Sequence, residues 1–134
     1  MARTQGVTRR CTPTEPSARL HGARRFSEAA EVVDDPDVKT ANAVHAAIAA
    51  ADVICCLALD ERSADGNHAA AVALLWRVDP KSATVLGRLL ALKNQASYEE
   101  RDIAPARADW SASAAKRLVE AAEARLMGRP ERRS

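Results

Sequence analysis

His45, Asp52 and Cys55 are residues of this 134-residue chain whose types and spacing suit chemistry. They stand seven and three positions apart, which on a helix brings all three to one face. Imidazole, carboxylate and thiolate are all metal-ligand types. A single helix cannot enclose an ion, however, and no partner pair of His or Cys is offered elsewhere in the chain. The expectation is no metal and no cofactor. Asp52 reads instead as a buried or half-buried carboxylate that needs a cation, because an unpaired buried charge is very costly. Lys93, or an arginine of the first helix, is the candidate partner. His45 reads as a hydrogen-bonded residue between helices. His21, Arg24 and Arg25 could grip a phosphate, or form a solvated helix face. Trp76 and Trp110 are too far apart in sequence to suggest a base-stacking platform, and both read as core or interface anchors. The chain has no P-loop, no Gly-rich dinucleotide turn and no nucleophile elbow.

The three cysteines add a redox reading. Cys55 and Cys56 are adjacent in an apolar run, and neighbours on a helix point about 100° apart, so they cannot bridge each other without strain. The expectation is reduced, buried thiols and a cytoplasmic protein. The polar N-terminus lacks the apolar stretch of a secretory signal. The apolar stretch 41–59 is broken by Asn42, His45 and Asp52, which suits a core helix and not a membrane span.

What must position these residues is helical. Apolar residues make up 47% of the chain, yet only 3% is aromatic. Alanine supplies much of the rest, and it is the best helix former and small enough to let helices approach closely. A sheet would want Val, Ile, Tyr and Phe. Residues 1–16 carry no apolar period and read as a disordered basic tail. Ser17 caps a first helix to about Val33, with Leu20, Ala23, Phe26, Ala30 and Val33 on one face. Asp35-Pro36 opens a second, central helix to about 59, and Asp79-Pro80 opens a fourth over about 80–98. A third helix runs over about 67–78. The last covers about 106–127 and ends at Gly128, leaving 128–134 as a flexible tail. Short connections favour antiparallel neighbours. The predicted fold is an all-α antiparallel bundle of about five helices, residues 17–127, with no strand.

The net charge of +2 is too small to mark a nucleic-acid binder, but it is unevenly spread. Residues 1–25 hold six arginines against Glu15 alone, so the rest is mildly acidic. A basic N-terminal end could meet RNA or an acidic partner, or simply keep the protein soluble.

Three segments together resemble the HEPN superfamily of bacterial toxin–antitoxin modules. They are the alanine-rich helix 41–51, the polar turn leading to His68 with Ala71, Val72 and Leu75, and the run Leu89-Leu90-Ala91-Leu92-Lys93-Asn94-Gln95-Ala96-Ser97-Tyr98. The closing helix with Ala114, Ala115, Ala121 and Ala122 also fits, and the preference for Arg over Lys suits a high-GC bacterial genome. The likeness covers about residues 17–127 and implies a four-helix-bundle-like HEPN fold. Ribonucleases of the family use an arginine, a polar residue and a histidine four to six positions on. The cation stabilises phosphate and the imidazole works as acid or base on the ribose hydroxyl. Here Lys93 and Asn94 are followed by Ser97, Tyr98 and Glu99, so the histidine is missing. Arg62 and His68 satisfy the spacing, but across a turn outside the family's catalytic position.

The resemblance therefore implies an interaction module of a toxin–antitoxin or defence pair, without ribonuclease activity. Its partner would be a protein such as a minimal nucleotidyltransferase, or a second copy in a homodimer. The alternative is a divergent dimeric HEPN ribonuclease that cleaves RNA without metal, with Lys93 and Asn94, or Arg62 and His68, as candidate catalytic residues. A plain RNA-binding bundle using the basic N-terminus ranks below both. The expected interface lies at the charged end formed by Lys93, Tyr98, Glu99 and Arg101. Tyr98 suits such a surface because its ring is apolar and its hydroxyl polar.

Overall fold

Asp35 and Asp79 do what the Asp-Pro pairs announce. Asp35 Oδ1 accepts from the Asp37 and Val38 amides at 2.9 and 3.1 Å, and Asp79 accepts from the amide and hydroxyl of Ser82. Each satisfies orphan donors of a first helical turn. The computed structural model describes residues 7–64, 66–98 and 102–128, with 95–98 described by their backbone alone. Among the described residues the protein is an all-α bundle of five helices: α1 (Glu15–Val32), α2 (Pro36–Leu59), α3 (His68–Trp76), α4 (Pro80–Tyr98) and α5 (Pro105–Gly128).

Helix α2 is the axis of the bundle. Ala43, Val44, Ala46, Ala47, Ala50, Val53 and Ile54 are fully buried, and α1 and α5 pack along it most extensively. The facing residues Ala23, Ala30, Ala114, Ala115 and Ala122 are also fully buried. Alanine against alanine lets the helix axes come close, and leaves no slack at the contact. Enlarging Ala47 or Ala51 to leucine should overpack this seam and lower stability by roughly 1–3 kcal/mol. Urea unfolding measures it; unchanged midpoints for both variants would mean that α2 is not central.

Two features depart from the sequence reading. A small antiparallel ladder joins β1 (Thr8–Arg10) to β2 (Glu61–Ser63), in the register Thr8 to Ser63, Arg9 to Arg62 and Arg10 to Glu61. Asp60 creates it: with φ 60° it ends α2 in the left-handed region, which short polar side chains tolerate, and turns the chain back toward its N-terminal segment. The expected tail 1–16 is thus structured from Thr8 onward, and α1 begins at Glu15, with Pro16 in its first turn where a missing N–H costs nothing. Residues 1–6 and 129–134 lie outside the described residues.

The second departure is a disulfide between Cys11 and Cys56, with Cα atoms 5.6 Å apart. It corrects the expectation of reduced thiols for two of the three cysteines and removes the cysteine argument for a cytoplasmic protein. Adjacent Cys55 and Cys56 indeed do not bridge. Cys56 finds its partner in Cys11, at the end of the N-terminal arm that β2 holds beside the last turn of α2. Cys55 stays free and buried. Phe26, expected on the inner face of α1, is 40% exposed, and Trp76 is 52% exposed.

Candidate functional site

Four of the charged residues converge where the start of α1, the last turns of α2 and β2 meet. Glu15 and Arg19 lie one helical turn apart on α1, with Arg19 Nε 3.8 Å from Glu15 Oε2. Arg19 Nη1 reaches Asp52 Oδ2 at 3.3 Å. Arg62 Nε donates to Glu15 Oε2, and its Nη1 donates to the Ser63 carbonyl at 3.1 Å. Glu15 Oε1 also accepts from the Thr12 amide at 3.2 Å. Two carboxylates face two guanidiniums, so the quartet is neutral. Asp52 does have the cation it needs, and that cation is Arg19 of the first helix, not Lys93.

Burial pushes the Asp52 carboxyl up to about 6, and the Arg19 and Arg62 cations only partly oppose it. Glu15 is the reverse case: its hydrogen bond from Arg62 holds it below the usual carboxylate range. Burial, reinforced by the Asp52 charge, pushes the Cys55 thiol up to about 12. A thiol that stays protonated is a poor nucleophile and a poor metal ligand.

The candidate catalytic pair is not assembled as a phosphate site. Arg62 has its charge engaged by Glu15, and its side chain is only 12% exposed. His68 is the first residue of α3, half-buried, directly after Asn67, whose side chain caps the helix by accepting from the Ala70 amide. No hydrogen bond joins His68 to Arg62 among the described residues. His45, expected to be hydrogen-bonded between helices, is exposed on α2. It lays its ring against Phe26 of α1, with centroids 5.1 Å apart. Asp52 and Cys55 are buried, so the three potential ligands do not share one environment. Of the possible phosphate grip on α1, Arg24 is bound to Glu123 of α5.

The other candidates lie at the far end of α4. Lys93 is half-buried and Asn94 exposed, and Lys93 has no ion pair among the described residues. Tyr98 is the last residue of α4. Its side chain, together with Glu99 and Arg101, lies outside the described residues, so the expected interface is described only through Lys93.

Beside Lys93 the structure shows a feature that sequence reasoning missed. Helices α4 and α5 are neighbours in the chain, but both rest on α2 and barely touch each other. Between them opens a groove of about 470 Å³, lined by Arg88, Ala91, Leu92, Ala106, Arg107 and Trp110. Its base is a small separate core of Leu92, Ile103 and Ala108 with Trp110 packed against it. Asp37, in the first turn of α2, anchors the approach by accepting from the Ile103 amide at 2.9 Å. Arg88 and Arg107 are exposed, and neither has an ion pair among the described residues. The spacing could have signalled the two walls, since 88, 91 and 92, and 106, 107 and 110, each share a helical face. That the walls stand apart is a property of the pair, not of either helix. Compared with family models, with curated proteins and with solved structures, the chain matches none.

Proposed function

We propose that this protein is an interaction module: a HEPN-like bundle of a toxin–antitoxin or defence pair that binds a protein partner and does not cleave RNA. One observation carries the reading. The charge of Arg62 is neutralised inside the fold by Glu15, whereas Arg88 and Arg107 line an apolar groove and have no ion pair among the described residues. A ribonuclease needs the opposite arrangement, a free cation and an imidazole aimed at one exposed phosphate. A recognition surface needs what the α4–α5 groove offers, an apolar floor with an aromatic anchor and arginines at the rim. The missing histidine after Lys93-Asn94 supports the same reading. The partner is a nucleotidyltransferase-type protein or a second copy of the chain.

The test is to incubate the purified protein with structured and single-stranded RNA, beside Lys93→Ala, His68→Ala and Arg62→Ala. No cleavage above background is expected from any of them. Cleavage by the natural chain that one substitution abolishes would establish the divergent ribonuclease instead. Co-expression with a nucleotidyltransferase-type protein, followed by size-exclusion chromatography, then reads the partner directly.

A further inference from the structure

We infer that the groove between α4 and α5 receives an acidic amphipathic helix of a partner protein. The apolar side of that helix would lie against Ala91, Leu92, Ala106 and Trp110, and its carboxylates would meet Arg88 and Arg107. The inference deepens the interaction-module reading and rests on it.

Three observations choose this occupant. The first is shape. Two helices seated on the same third helix, yet hardly touching each other, leave a trough with one wall on each of them. A helix laid in such a trough repeats the packing already used by the bundle. The second is the lining: Ala91 and Ala106 add no bulk or polar group to it, while buried Leu92 and half-buried Trp110 supply the apolar contact. The third is charge. Both charged residues lining the groove are arginines, one on each wall, and no carboxylate lines it among the described residues. Guanidinium suits this task because it pairs with carboxylates in a fixed two-point geometry and loses little by partial desolvation.

Other occupants fit less well. The chain's own ends are basic: Arg3 stands without an acidic residue in 1–6, and Arg129, Arg132 and Arg133 outnumber Glu131 in 129–134. Neither complements two arginines. A single-stranded RNA would find cations for its phosphates, but one indole is not a platform for successive bases. The volume is enough for a few apolar side chains and lies within the range of specific pockets, about 300–1,000 Å³.

The experiment uses the full chain and a fluorescein-labelled synthetic helix. Leucines stand at positions i, i+3, i+4 and i+7 of the helix, with glutamates flanking them. Controls are the same peptide with every glutamate replaced by lysine, and a twelve-nucleotide oligouridine. Fluorescence anisotropy gives affinity, and the indole N–H resonances give location, since Trp76 and Trp110 are the only tryptophans and only Trp110 lines the groove. The acidic helix is expected to bind and to shift the Trp110 resonance but not that of Trp76. The surface double variant Arg88→Glu/Arg107→Glu should weaken it by about tenfold or more and favour the lysine peptide. Equal binding of the two peptides, tighter binding of oligouridine, or binding that leaves Trp110 unmoved overturns the inference. A dimer that sedimentation shows to dissociate in the double variant overturns it in favour of a second copy. A nucleotidyltransferase-type partner that co-elutes equally well with the double variant overturns this inference alone and leaves the interaction-module reading standing. RNA cleavage by the natural chain removes both.

Discussion

Replacing Cys11 with serine, or reducing the Cys11–Cys56 bridge with a dithiol, is expected to lower the free energy of unfolding by about 2–4 kcal/mol. The bridge spans 45 positions, and closing a loop of that size in the unfolded chain is worth about 4 kcal/mol on chain-entropy grounds. The lower figure allows for residual contacts in the reduced unfolded chain. A second effect acts on the folded side. Without the bridge, the N-terminal arm is held by the three-residue pairing of β1 with β2 and by flanking backbone bonds, two of which extend the ladder at its ends. These run from the Cys11 amide to the Asp60 carbonyl at 3.0 Å, and from the Ala64 amide to the Val7 carbonyl at 2.9 Å. All of β1 is exposed, so the arm should then open locally. Urea midpoints with and without dithiol measure the loss, and amide exchange in residues 8–11 locates it. Cys11→Ser should show no further response to dithiol. Three free thiols titrated in the native protein, with an unchanged midpoint on reduction, would return all three cysteines to the reduced state.

Much of the helical frame was legible in the sequence, and for local reasons. Asp35-Pro36 and Asp79-Pro80 carry their capping chemistry in adjacent residues, and the nearly all-round apolar character of the second half of α2 suits only the centre of a bundle. The β1–β2 ladder was not legible. Thr8-Arg9-Arg10 and Glu61-Arg62-Ser63 have no apolar alternation, and they pair because Asp60 and the disulfide bring them together. Arg9 directly opposite Arg62 would even argue against pairing; the register holds because Glu15 neutralises Arg62. Phe26 misled for a related reason. Its helical position suggested an inward side chain, but the inner seam of α1 is filled by Leu20, Ala23 and Ala30, and Phe26 covers the exposed ring of His45 instead.

The candidate site divides in the same way. That Asp52 needed a cation follows from its place in an apolar helix, and an arginine of the first helix was one of two candidates. The capture of Arg62 by Glu15, 47 positions away, depends on where β2 lands and could not be read from either segment. It is this capture that turns a spacing suited to catalysis into an internal ion pair. The groove is hidden for a different reason. Each wall has an ordinary amphipathic pattern, and only the separation of α4 from α5 exposes Arg88, Arg107 and part of Trp110 to a common space.

The ion-pair quartet around buried Asp52 should also give the protein an unusual pH profile, with the highest unfolding midpoint at about pH 4 and a fall that is complete soon after about pH 6. Asp52 sits at about 6 in the folded chain against 3.8 as its ordinary value. Its folded pKa is raised, so the folded state holds this proton more tightly than the unfolded state does. The stabilisation is therefore complete below the ordinary value and is lost as pH rises through about 6. The full difference corresponds to about 3 kcal/mol. Glu15 works in the opposite sense. Its folded pKa lies below the ordinary 4.5, so its contribution is present above that value and is lost as the medium becomes more acidic. Asp79, held low by its hydrogen bond from the Ser82 hydroxyl, adds to the acid-side loss. The Asp52 loss sets in above 3.8 and runs to about 6, whereas the Glu15 contribution is complete by 4.5, so the two slopes meet at about pH 4 and set the optimum there. Asp52→Asn isolates the neutral-side slope, because it keeps the side-chain shape and removes the titrating proton. Arg19 then retains Glu15 and its own access to water, being 36% exposed. Thermal or urea unfolding at half-unit steps from about pH 4.5 to 7.5 should show a curve for the natural chain that declines to a little above pH 6 and then levels, and a nearly flat one for the variant. Parallel curves would mean that Asp52 is already ionised throughout this range, and that the Arg19 and Arg62 charges outweigh its burial.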